Sequence, residues 1–306
     1  MSFSITIIGS NSAIPAHGRH PSSQLVTIQD KHYLIDCGEG TQMRLHELNI
    51  RASRINHIFI SHLHGDHYFG LIGLISTYHL LKRIRPLHIY APKELLSIIQ
   101  LQLQAGQTNL CYEIIFCPLD PHKSERILEN DDITVDTILL KHRIDCLGFL
   151  FKEKKRERKV IKEKMDAYEL SFDLVPELKK GFDITDPKTG NIIPNKELTT
   201  DPLRARSYAY CSDTAYNENM LSAIYGVDLM YHDCTFDDAA QLRAEETYHS
   251  TTKQAAQIAK LSQAKQLLIG HFSSKYENLN SLLLEAKEVF ENTLLAIEGK
   301  IYSIER

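Results

Sequence analysis

The sequence predicts an α/β protein in which helices cover β-sheets, and a two-sheet αββα sandwich fits this pattern. Two observations support the prediction. The first sixty residues are rich in strands and turns, and from about residue 87 onward apolar, β-branched runs alternate with amphipathic helical patterns. A third observation is a segment at 152–204 that interrupts this alternation. Periodicity alone also admits a doubly wound sheet.

The predicted elements follow from the spacing of the apolar residues. Period-two or continuous apolar runs predict strands at 3–8, 24–28, 32–36, 58–60, 87–90, 112–117, 133–137, 147–151, 207–211, 228–232 and 266–269. Helical spacing predicts helices near 41–48, 93–105, 251–261 and 279–289.

The interrupting segment is predicted to be an insertion that projects from the core. The thirteen residues at 152–164 hold eight Lys or Arg and three Glu. Turn-forming residues then dominate 171–202, among them Pro176, Gly181, Pro187, Gly190, Pro194 and Pro202. The segment is longer than ordinary loops. The alternative is a solvated, partly disordered surface loop, which is the usual meaning of a run of charges.

Composition bounds the function classes without selecting one. The chain has 306 residues, 43% of them hydrophobic, and a formal net charge of -4. This charge does not by itself favour a nucleic-acid partner, because phosphate binding needs concentrated positive charge. No apolar run approaches the ~20 residues of a membrane span. The six cysteines form no C-x-x-C pair and no basic leader precedes them, so reduced thiols and a cytoplasmic location are expected.

A cluster of metal-ligand types follows the predicted strand at 58–60. Residues 61–67 read Ser-His-Leu-His-Gly-Asp-His, which places His62, His64, Asp66 and His67 within one short loop. Zinc prefers imidazole nitrogen and carboxylate oxygen ligands. Gly65 is expected to permit a tight backbone that lets its neighbours point inward. A lone histidine is more often structural, but this combination predicts a metal site.

Further ligands must come from elsewhere, because one short loop cannot complete two metal shells. His142, Asp213 and His271 each follow a predicted strand or apolar run. Side chains just beyond the ends of separate strands gather at one edge of a sheet. Taken singly, each could equally be an ordinary polar residue at a strand end, but together they predict convergence on the histidine loop.

These motifs resemble those of the metallo-β-lactamase superfamily, from the first strand to at least Tyr276. The resemblance rests on the H-x-H-x-D-H loop, on Asp-Cys-Gly-Glu at 36–39 and on the later His, Asp and His. It implies an αββα metallo-β-lactamase sandwich that holds two zinc ions per subunit. It also implies that Asp36 supports the histidine loop, as ligands commonly require. The implied ligands are His62, His64 and His142 for one ion, Asp66, His67 and His271 for the other, and Asp213 for both.

Within that superfamily, which includes β-lactamases, thioesterases, lactonases, oxygen reductases and nucleases, further segments resemble ribonuclease Z. These are residues 36–42 and 61–71, Tyr-His-Ser-Thr-Thr at 248–252, and Gly-His-Phe-Ser-Ser-Lys-Tyr at 270–276, where Lys275 replaces the usual Arg. The basic insertion lies between the third and fourth motifs, where ribonuclease Z carries an exosite arm that grips tRNA.

The resemblance implies a zinc-dependent endoribonuclease that removes the 3′ trailer of precursor tRNA and leaves a 3′-hydroxyl on the tRNA. It also implies a homodimer, because the arm of one subunit serves the active site of the other. Two metal ions suit in-line displacement at phosphorus, and Asp66 would also orient the attacking water. His249 is the candidate general acid, with Asp233 orienting it. Without the resemblance, His249 fits the neighbour of a helix N-cap better than it fits a general acid.

The candidate substrate-binding residues are polar or basic and belong to two groups. A basic module away from the active site can hold tRNA through its phosphates and A-form shape. The candidates are Arg19, Ser273 and Lys275 beside the predicted metal site, and Lys154, Lys155, Arg156, Arg158, Lys159, Lys179 and Lys180 in the insertion.

Three segments depart from the ribonuclease Z pattern. The usual Pro-x-Lys-x-Arg-Asn is Pro-Ala-His-Gly-Arg-His at 15–20, and the usual His-Glu-Ala-Thr is His-Asp-Cys-Thr at 232–235. The insertion lacks the Gly-Pro signature of the arm. These departures affect how the substrate would be recognised more than they affect the predicted metal ligands. The sequence leaves open the metal used in the cell, the position of the cut relative to CCA, and exonuclease activity.

Other functions remain as alternatives. One is hydrolysis of a small phosphodiester or ester, with the insertion serving only as a lid or surface feature; tight, salt-dependent tRNA binding would distinguish the two. Another is a nucleic-acid-binding protein without catalysis, which would not need an open site with two metal ions. A flavodiiron reductase is disfavoured, because the chain has no room for its flavodoxin module.

Overall fold

A computed structural model describes residues 2–306. The described strands, numbered in chain order, are β1 (Phe3–Gly9), β2 (Ser23–Ile28), β3 (Lys31–Ile35), β4 (Ile55–Phe59), β5 (Leu87–Pro92), β6 (Ile114–Leu119), β7 (Arg126–Glu129), β8 (Ile133–Leu139), β9 (Leu147–Glu153), β10 (Lys159–Val160), β11 (Ile184–Thr185), β12 (Ile192–Ile193), β13 (Thr199–Thr200), β14 (Ser207–Cys211), β15 (Leu229–Asp233), β16 (Leu267–Gly270), β17 (Thr293–Leu295) and β18 (Ile301–Ser303).

The described α-helices are mostly short. They are α1 (Thr41–Glu47), α2 (Gly65–Tyr68), α3 (Leu71–Leu80), α4 (Glu94–Ala105), α5 (Lys162–Ala167), α6 (Val175–Lys180), α7 (Asn195–Leu198), α8 (Gln241–Thr247), α9 (Thr252–Leu261) and α10 (Asn280–Val289). Within residues 2–306 no helix has the length and apolarity needed to cross a bilayer.

Two 7-stranded sheets form the main body of the protein. The first has the order β18-β1-β2-β3-β4-β5-β6, and the second has the order β17-β16-β15-β14-β9-β8-β7. In the first sheet β3, β4, β5 and β6 are parallel neighbours. In the second sheet β14, β15, β16 and β17 are parallel neighbours. The carboxyl ends of each parallel set therefore lie at one edge of its sheet.

Three buried clusters show that the sheets stack as the inner layers of an αββα sandwich. Aromatic side chains from both sheets, among them Phe59, Phe149 and Phe151, pack together between them. The other face of the first sheet packs against α1, α3 and α4, and that of the second against α9 and α10. The predicted fold class is confirmed, and the doubly wound alternative is excluded.

The sequence misplaced one strand and missed several short ones. The strand predicted at 112–117 begins at Ile114, because Tyr112 instead turns its hydroxyl to the carbonyl of Ile75, 3.0 Å away. Strands β7, β17 and β18 were not predicted. They are edge strands of only three or four residues, and β7 contains no fully buried side chain, so no apolar period marks it.

A second compact unit comprises Glu153–Ala205 together with Arg306. The remainder of the chain forms the first unit, which contains both large sheets. The second unit overlaps the insertion expected at 152–204, and its two small strand pairs are β10 with β13 and β11 with β12. It has its own apolar core, so within the described residues it is folded rather than a plain loop. The core residues are Met165, Leu170, Leu178, Ile184, Ile193 and Leu198.

Candidate metal centre

The histidine loop is held by a buried carboxylate from the end of β3. Asp36 Oδ2 lies 2.8 Å from His67 Nδ1 and accepts a hydrogen bond of 2.6 Å from the Tyr210 hydroxyl. Asp36 Oδ1 accepts the backbone N–H of Ser61 at 2.8 Å. Asp36 is fully buried and has a φ of 55°. The carboxylate therefore fixes both the start of the loop and the ring of His67.

Gly65 does not have the role expected from the sequence. Its φ is not positive, and it begins α2 in ordinary helical backbone. A Cβ at this position would lie 2.1 Å from the ring of Phe69. The prediction of an unusual backbone was therefore wrong, because what requires glycine here is space for the Phe69 ring.

One group of ligand atoms comes from His62, His64, His142 and Asp213. All four atoms lie within 4.8 Å of one another. His62 Nε2 and His142 Nε2 each lie 3.1 Å from His64 Nδ1, and His62 Nε2 lies 3.5 Å from Asp213 Oδ2. The nitrogens thus converge on a common point, as the ligands of a single cation do.

A second group comes from Asp66, His67 and His271, whose ligand atoms also lie within 4.8 Å of one another. The Nε2 atoms of His67 and His271 lie 3.5 and 3.4 Å from Asp66 Oδ2. Both Nε2 atoms are also 3.3 Å from Asp213 Oδ1. Asp213 therefore faces both groups, with one carboxylate oxygen directed to each.

The charges in this cluster are mutually dependent. Burial raises the pKa of the Asp213 carboxyl, but His271, His67 and His62 outweigh burial and hold that pKa well below its ordinary value. Burial lowers the pKa of His271, but Asp213 and then Asp233 and Asp66 outweigh it and raise the pKa to about 10. The buried carboxylates of this cluster therefore favour a positive charge beside them.

The donor set fits a pair of zinc ions. Asp213 Oδ1 is fully buried. The imidazole nitrogens of His67 and His271 lie 3.3 Å from it, but among residues 2–306 no group donates a hydrogen bond of good geometry to this oxygen. A buried carboxylate oxygen left this way is costly unless a cation satisfies it. Imidazole nitrogens with carboxylate oxygens are the ligands that zinc uses in catalytic sites.

Replacing Asp36 with Asn is expected to weaken zinc binding by roughly 10- to 100-fold, the usual cost of removing a residue that orients a ligand. The Asn side chain keeps one acceptor oxygen, but its NH₂ group would face either the Ser61 N–H or the His67 ring nitrogen. Both of these groups pair with a carboxylate oxygen of Asp36. Competition with a chromogenic chelator measures the affinity. Tyr210→Phe is the matched control, because it removes only one hydrogen bond to Asp36. Equal zinc affinity in Asp36→Asn and the parent protein contradicts the prediction.

His249, which is partly exposed, pairs with the buried Asp233 beside the second group. Asp233 Oδ2 lies 2.8 Å from His249 Nδ1, and Asp233 Oδ1 accepts the N–H of Thr235 at 2.9 Å. The His249 ring stacks on that of His271, with ring centroids 5.2 Å apart. Because Asp233 occupies Nδ1, the other nitrogen of His249 is left for a second partner.

A cavity of about 450 Å³ opens over these residues. Its lining includes His249, Phe69, Ile14 and five of the candidate ligands, which are His64, Asp66, His142, Asp213 and His271. The loop before β2 closes one side, and its Ala13 N–H donates a hydrogen bond of 2.8 Å to Asp66 Oδ2. Arg143 Nη2 lies 3.1 Å from His64 Nε2 at the rim. The cavity therefore exposes a dense set of ligands and one cation to a substrate.

The candidate substrate-binding residues beside the site have partners of their own. Arg19 donates to Asn11 Oδ1 at 2.9 Å and to the carbonyls of Tyr276 and Glu277 at 2.5 and 3.2 Å. It thereby ties the loop before β2 to the loop after β16. Lys275 Nζ lies 3.7 Å from Asp237 Oδ1 and over the ring of Tyr276. Substrate binding by Arg19 and Lys275 stays a prediction.

Ser273, the third candidate beside the site, is half-buried next to His271. Its Oγ accepts the backbone N–H of Lys275 at 3.4 Å, and its own N–H donates to the carbonyl of Thr235. The side chain thus shapes the loop after β16. A contact with substrate stays a prediction here as well.

The candidates in the second unit differ in their partners. Arg158 pairs with Asp201, and Lys179 Nζ lies 3.5 Å from Glu157 Oε2. Lys155 and Lys159 are exposed. The positive charge is confined to the start of the unit, because 165–205 holds five Lys or Arg against eight Asp or Glu.

Several residues that shape the site were not predicted. Tyr210 holds Asp36, and Thr235 Oγ1 lies 2.9 Å from His271 Nδ1. Glu298 accepts the N–H groups of Ser10 and His20 and so holds the loop before β2. Tyr210 and Thr235 stand near predicted motifs, which was the available signal. Glu298 lies at the far end of the chain, and no local pattern indicates its role.

The comparisons with known proteins agree with this geometry. A family model described as Anti-Pycsar protein Apyc1 matches residues 3–161. The ribonuclease Z of Parabacteroides distasonis is 45% identical over 302 residues, which cover 99% of each chain. The chain belongs to the ribonuclease Z family.

Other members of the ribonuclease Z family give the same result. The ribonuclease Z of Cytophaga hutchinsonii is 46% identical over 305 residues, which cover 99% of this chain and 97% of that one. The crystal structure of human tRNase Z, short form, matches with a TM-score of 0.72 and 26% identity, over 99% of this chain and all of that one. The family predicted from the motifs is confirmed.

Proposed function

We propose that the chain is an endoribonuclease that removes the 3′ trailer of precursor tRNA by hydrolysing one phosphodiester, leaving a 3′-hydroxyl on the tRNA. The observation that carries this proposal is the convergence of His and Asp side chains on Asp213, which belongs to one group with His62, His64 and His142 and lies 3.3 Å from the imidazoles of His67 and His271. His249 and Asp233 form a further group with Asp213 and His271. The names of the relatives at 45% and 46% identity support the same substrate class.

The ligand assignment is part of the proposal. His62, His64 and His142 would hold one zinc ion, Asp66, His67 and His271 the other, and Asp213 both. When bound, the two ions supply Lewis acidity at the phosphate and make a water more acidic. Asp66 lies between the loop backbone and two imidazoles, so its free orientations are few. It would orient the attacking water as well as bind metal.

His249 would donate the proton that the departing 3′ oxygen needs. Water attacks phosphorus, the bond from phosphorus to the 3′ oxygen breaks, and the 5′-phosphate stays with the trailer. Asp233 accepts at Nδ1 and thereby directs the other ring nitrogen away from itself. Asp233 is a positioning residue, since it also contacts Thr235, which in turn contacts His271.

The basic run at the start of the second unit would hold the body of the tRNA. Lys154, Lys155, Arg156, Arg158, Lys159, Lys179 and Lys180 are its candidate contacts, and the unit would serve as an exosite arm. A homodimer, in which the arm of one subunit serves the other, and a cytoplasmic location belong to the same proposal.

The direct test is to incubate the zinc-loaded protein with a 3′-extended tRNA transcript and to map both product ends. We expect one cut at the tRNA 3′ end, a 3′-hydroxyl on the tRNA and a 5′-phosphate on the trailer. Hydrolysis of a small phosphodiester without any cleavage of the transcript would contradict the proposed substrate.

Neutralising Lys155 and Lys159 to Gln is expected to weaken tRNA binding and to lower the slope of log affinity against log salt by roughly 1.5, at ~0.7 to 0.9 for each phosphate contact. Filter binding across a salt series measures both effects. Lys188→Gln with Lys196→Gln is the matched control, with the same charge change in the acidic part of the same unit. If both double variants have the same slope, the basic run is only a solvated surface.

A further inference from the structure

A cavity of about 830 Å³ lies at the opposite edge of the first sheet from the candidate metal centre. It is lined by the amino ends of β3 and β4 and by residues 81–85 before β5. Arg54 at this edge and Ser61 beyond the other end of β4 are separated by one strand length, roughly 20 Å at the rise of a β-strand. One small ligand cannot occupy both places.

The lining of this cavity carries an excess of positive charge. Arg54, Lys82, Arg83 and Arg85 line it, and within the described chain none of them lies within 4.0 Å of a carboxylate oxygen. Lys31 also lines it but pairs with Asp132 at 2.6 Å. Asp30 is the one acidic residue in the lining among residues 2–306. The cavity therefore attracts anions.

Arg83 carries one of these positive charges in a buried position. Its side chain is buried, with 9% exposure, and its donors reach the neutral oxygens of Arg85, Ile55, Asn56 and Pro86 at 2.7 to 3.1 Å. These contacts satisfy the hydrogen bonds, and the guanidinium also lies 4.8 Å from the Tyr78 ring centroid and 5.7 Å from that of Tyr112. They supply no opposite charge, which a buried cation favours. Burial, reinforced by His88, Lys31 and Arg83, lowers the pKa of the neighbouring His57 to about 4. An anion in the cavity would relieve this field.

The remaining lining suits a flat ring more than a second charge. His32 and His57 line the cavity with partly exposed rings, whereas Tyr33 and Tyr78 are buried behind them. The His57 ring stacks on that of His88 with centroids 4.8 Å apart. Leu81 lies at the cavity with 72% exposure. Pockets for small ligands commonly enclose about 300 to 1,000 Å³ and combine apolar walls with a few polar groups. A recess of this size, open to solvent on one side, can hold a small molecule.

We propose that this cavity is a second ligand site that binds a phosphorylated small molecule of mononucleotide size. Arg54, Lys82 and Arg85 would contact its phosphates, and the partly exposed rings of His32 and His57 would contact its base. The site is independent of the phosphodiester chemistry proposed above, since it shares no residue with the metal centre.

The test uses zinc-loaded, full-length protein with two probes, inorganic pyrophosphate and ADP. Calorimetry measures affinity, and hydrogen–deuterium exchange locates the bound probe. We expect ADP to protect 53–57 and 82–86 and to bind more tightly than pyrophosphate. Arg54→Gln with Arg85→Gln should weaken ADP binding ~10-fold or more for each arginine replaced. Both side chains are exposed, so the variant should remain folded.

Lys260→Gln with Lys300→Gln is the matched control, because it removes two exposed cations that do not line the cavity. This control should bind ADP like the parent protein. The proposal is overturned if ADP protects only 62–67 and 271, if both double variants bind ADP equally, or if pyrophosphate binds as tightly as ADP. It is also overturned if precursor tRNA, but neither small probe, protects 53–57 and 82–86.

Discussion

Replacing Asp213 with Ala should reduce cleavage of precursor tRNA by more than ~10⁴-fold, the scale of loss seen when a central catalytic group is removed. It should also lower the zinc content of the purified protein. The physical reason is that this carboxylate faces both clusters of candidate ligand atoms. Without it, two cations at the same places would repel each other with less negative charge between them.

The measurements are single-turnover cleavage and zinc content by atomic emission. Asp228→Ala is the matched control, because Asp228 is also buried but pairs with Lys265 at 2.7 Å away from the metal centre. A stability loss alone would lower the melting temperature of both variants, whereas zinc loss should be confined to Asp213→Ala. Near-normal turnover with full zinc content in that variant would refute the ligand assignment.

Replacing His249 with Ala should slow tRNA cleavage by ~10²- to 10⁴-fold, the usual contribution of a positioned general acid. Zinc content should not change, because His249 belongs to neither proposed ligand set, although one of its ring nitrogens lies within 4.8 Å of ligand atoms of Asp213, Asp233 and His271. A nitrophenyl phosphodiester has a leaving group that departs without a proton. Its hydrolysis should therefore fall far less than cleavage of tRNA.

Two results would contradict this role for His249. Loss of zinc would identify the residue as a metal ligand, since its ring lies close to those of His271 and His142. An equal loss on tRNA and on the nitrophenyl ester would mean that it positions the phosphate rather than protonating the departing oxygen. Asp233→Asn, compared on the same two substrates, should follow His249→Ala in direction with a smaller effect.

The candidate ligand positions could be predicted because each follows an apolar strand. Regular burial made β4 visible in the first sheet and the parallel strands β14 and β16 in the second, and the polar residues after them meet in one cluster. The contacts that hold this edge could not be predicted in the same way. Glu298 acts on a loop almost three hundred residues earlier in the chain, and such a separation leaves no local pattern.

The second unit shows a different limit of sequence patterns. Its core residues are spaced irregularly, and its strands are two residues long. Charges and turn formers dominate the intervening sequence, so its composition matches that of a solvated loop. What holds it together are a few buried apolar side chains and contacts such as Asn195 Nδ2 to the carbonyl of Leu178 at 2.8 Å. No helical or strand period exposes contacts of this kind.

The left-handed backbone of Asp36 limits which mutations this position can accept during evolution. Its φ of 55°, and the φ of 61° at His271, lie in a region that most side chains avoid and that Asp, Asn and His tolerate best. A change to Glu at 36, or to a β-branched residue at 271, must overcome backbone strain as well as altered chemistry. Glycine would fit the backbone but carries no ligand atom. At both positions the backbone conformation and the proposed chemistry therefore favour the residue that is present.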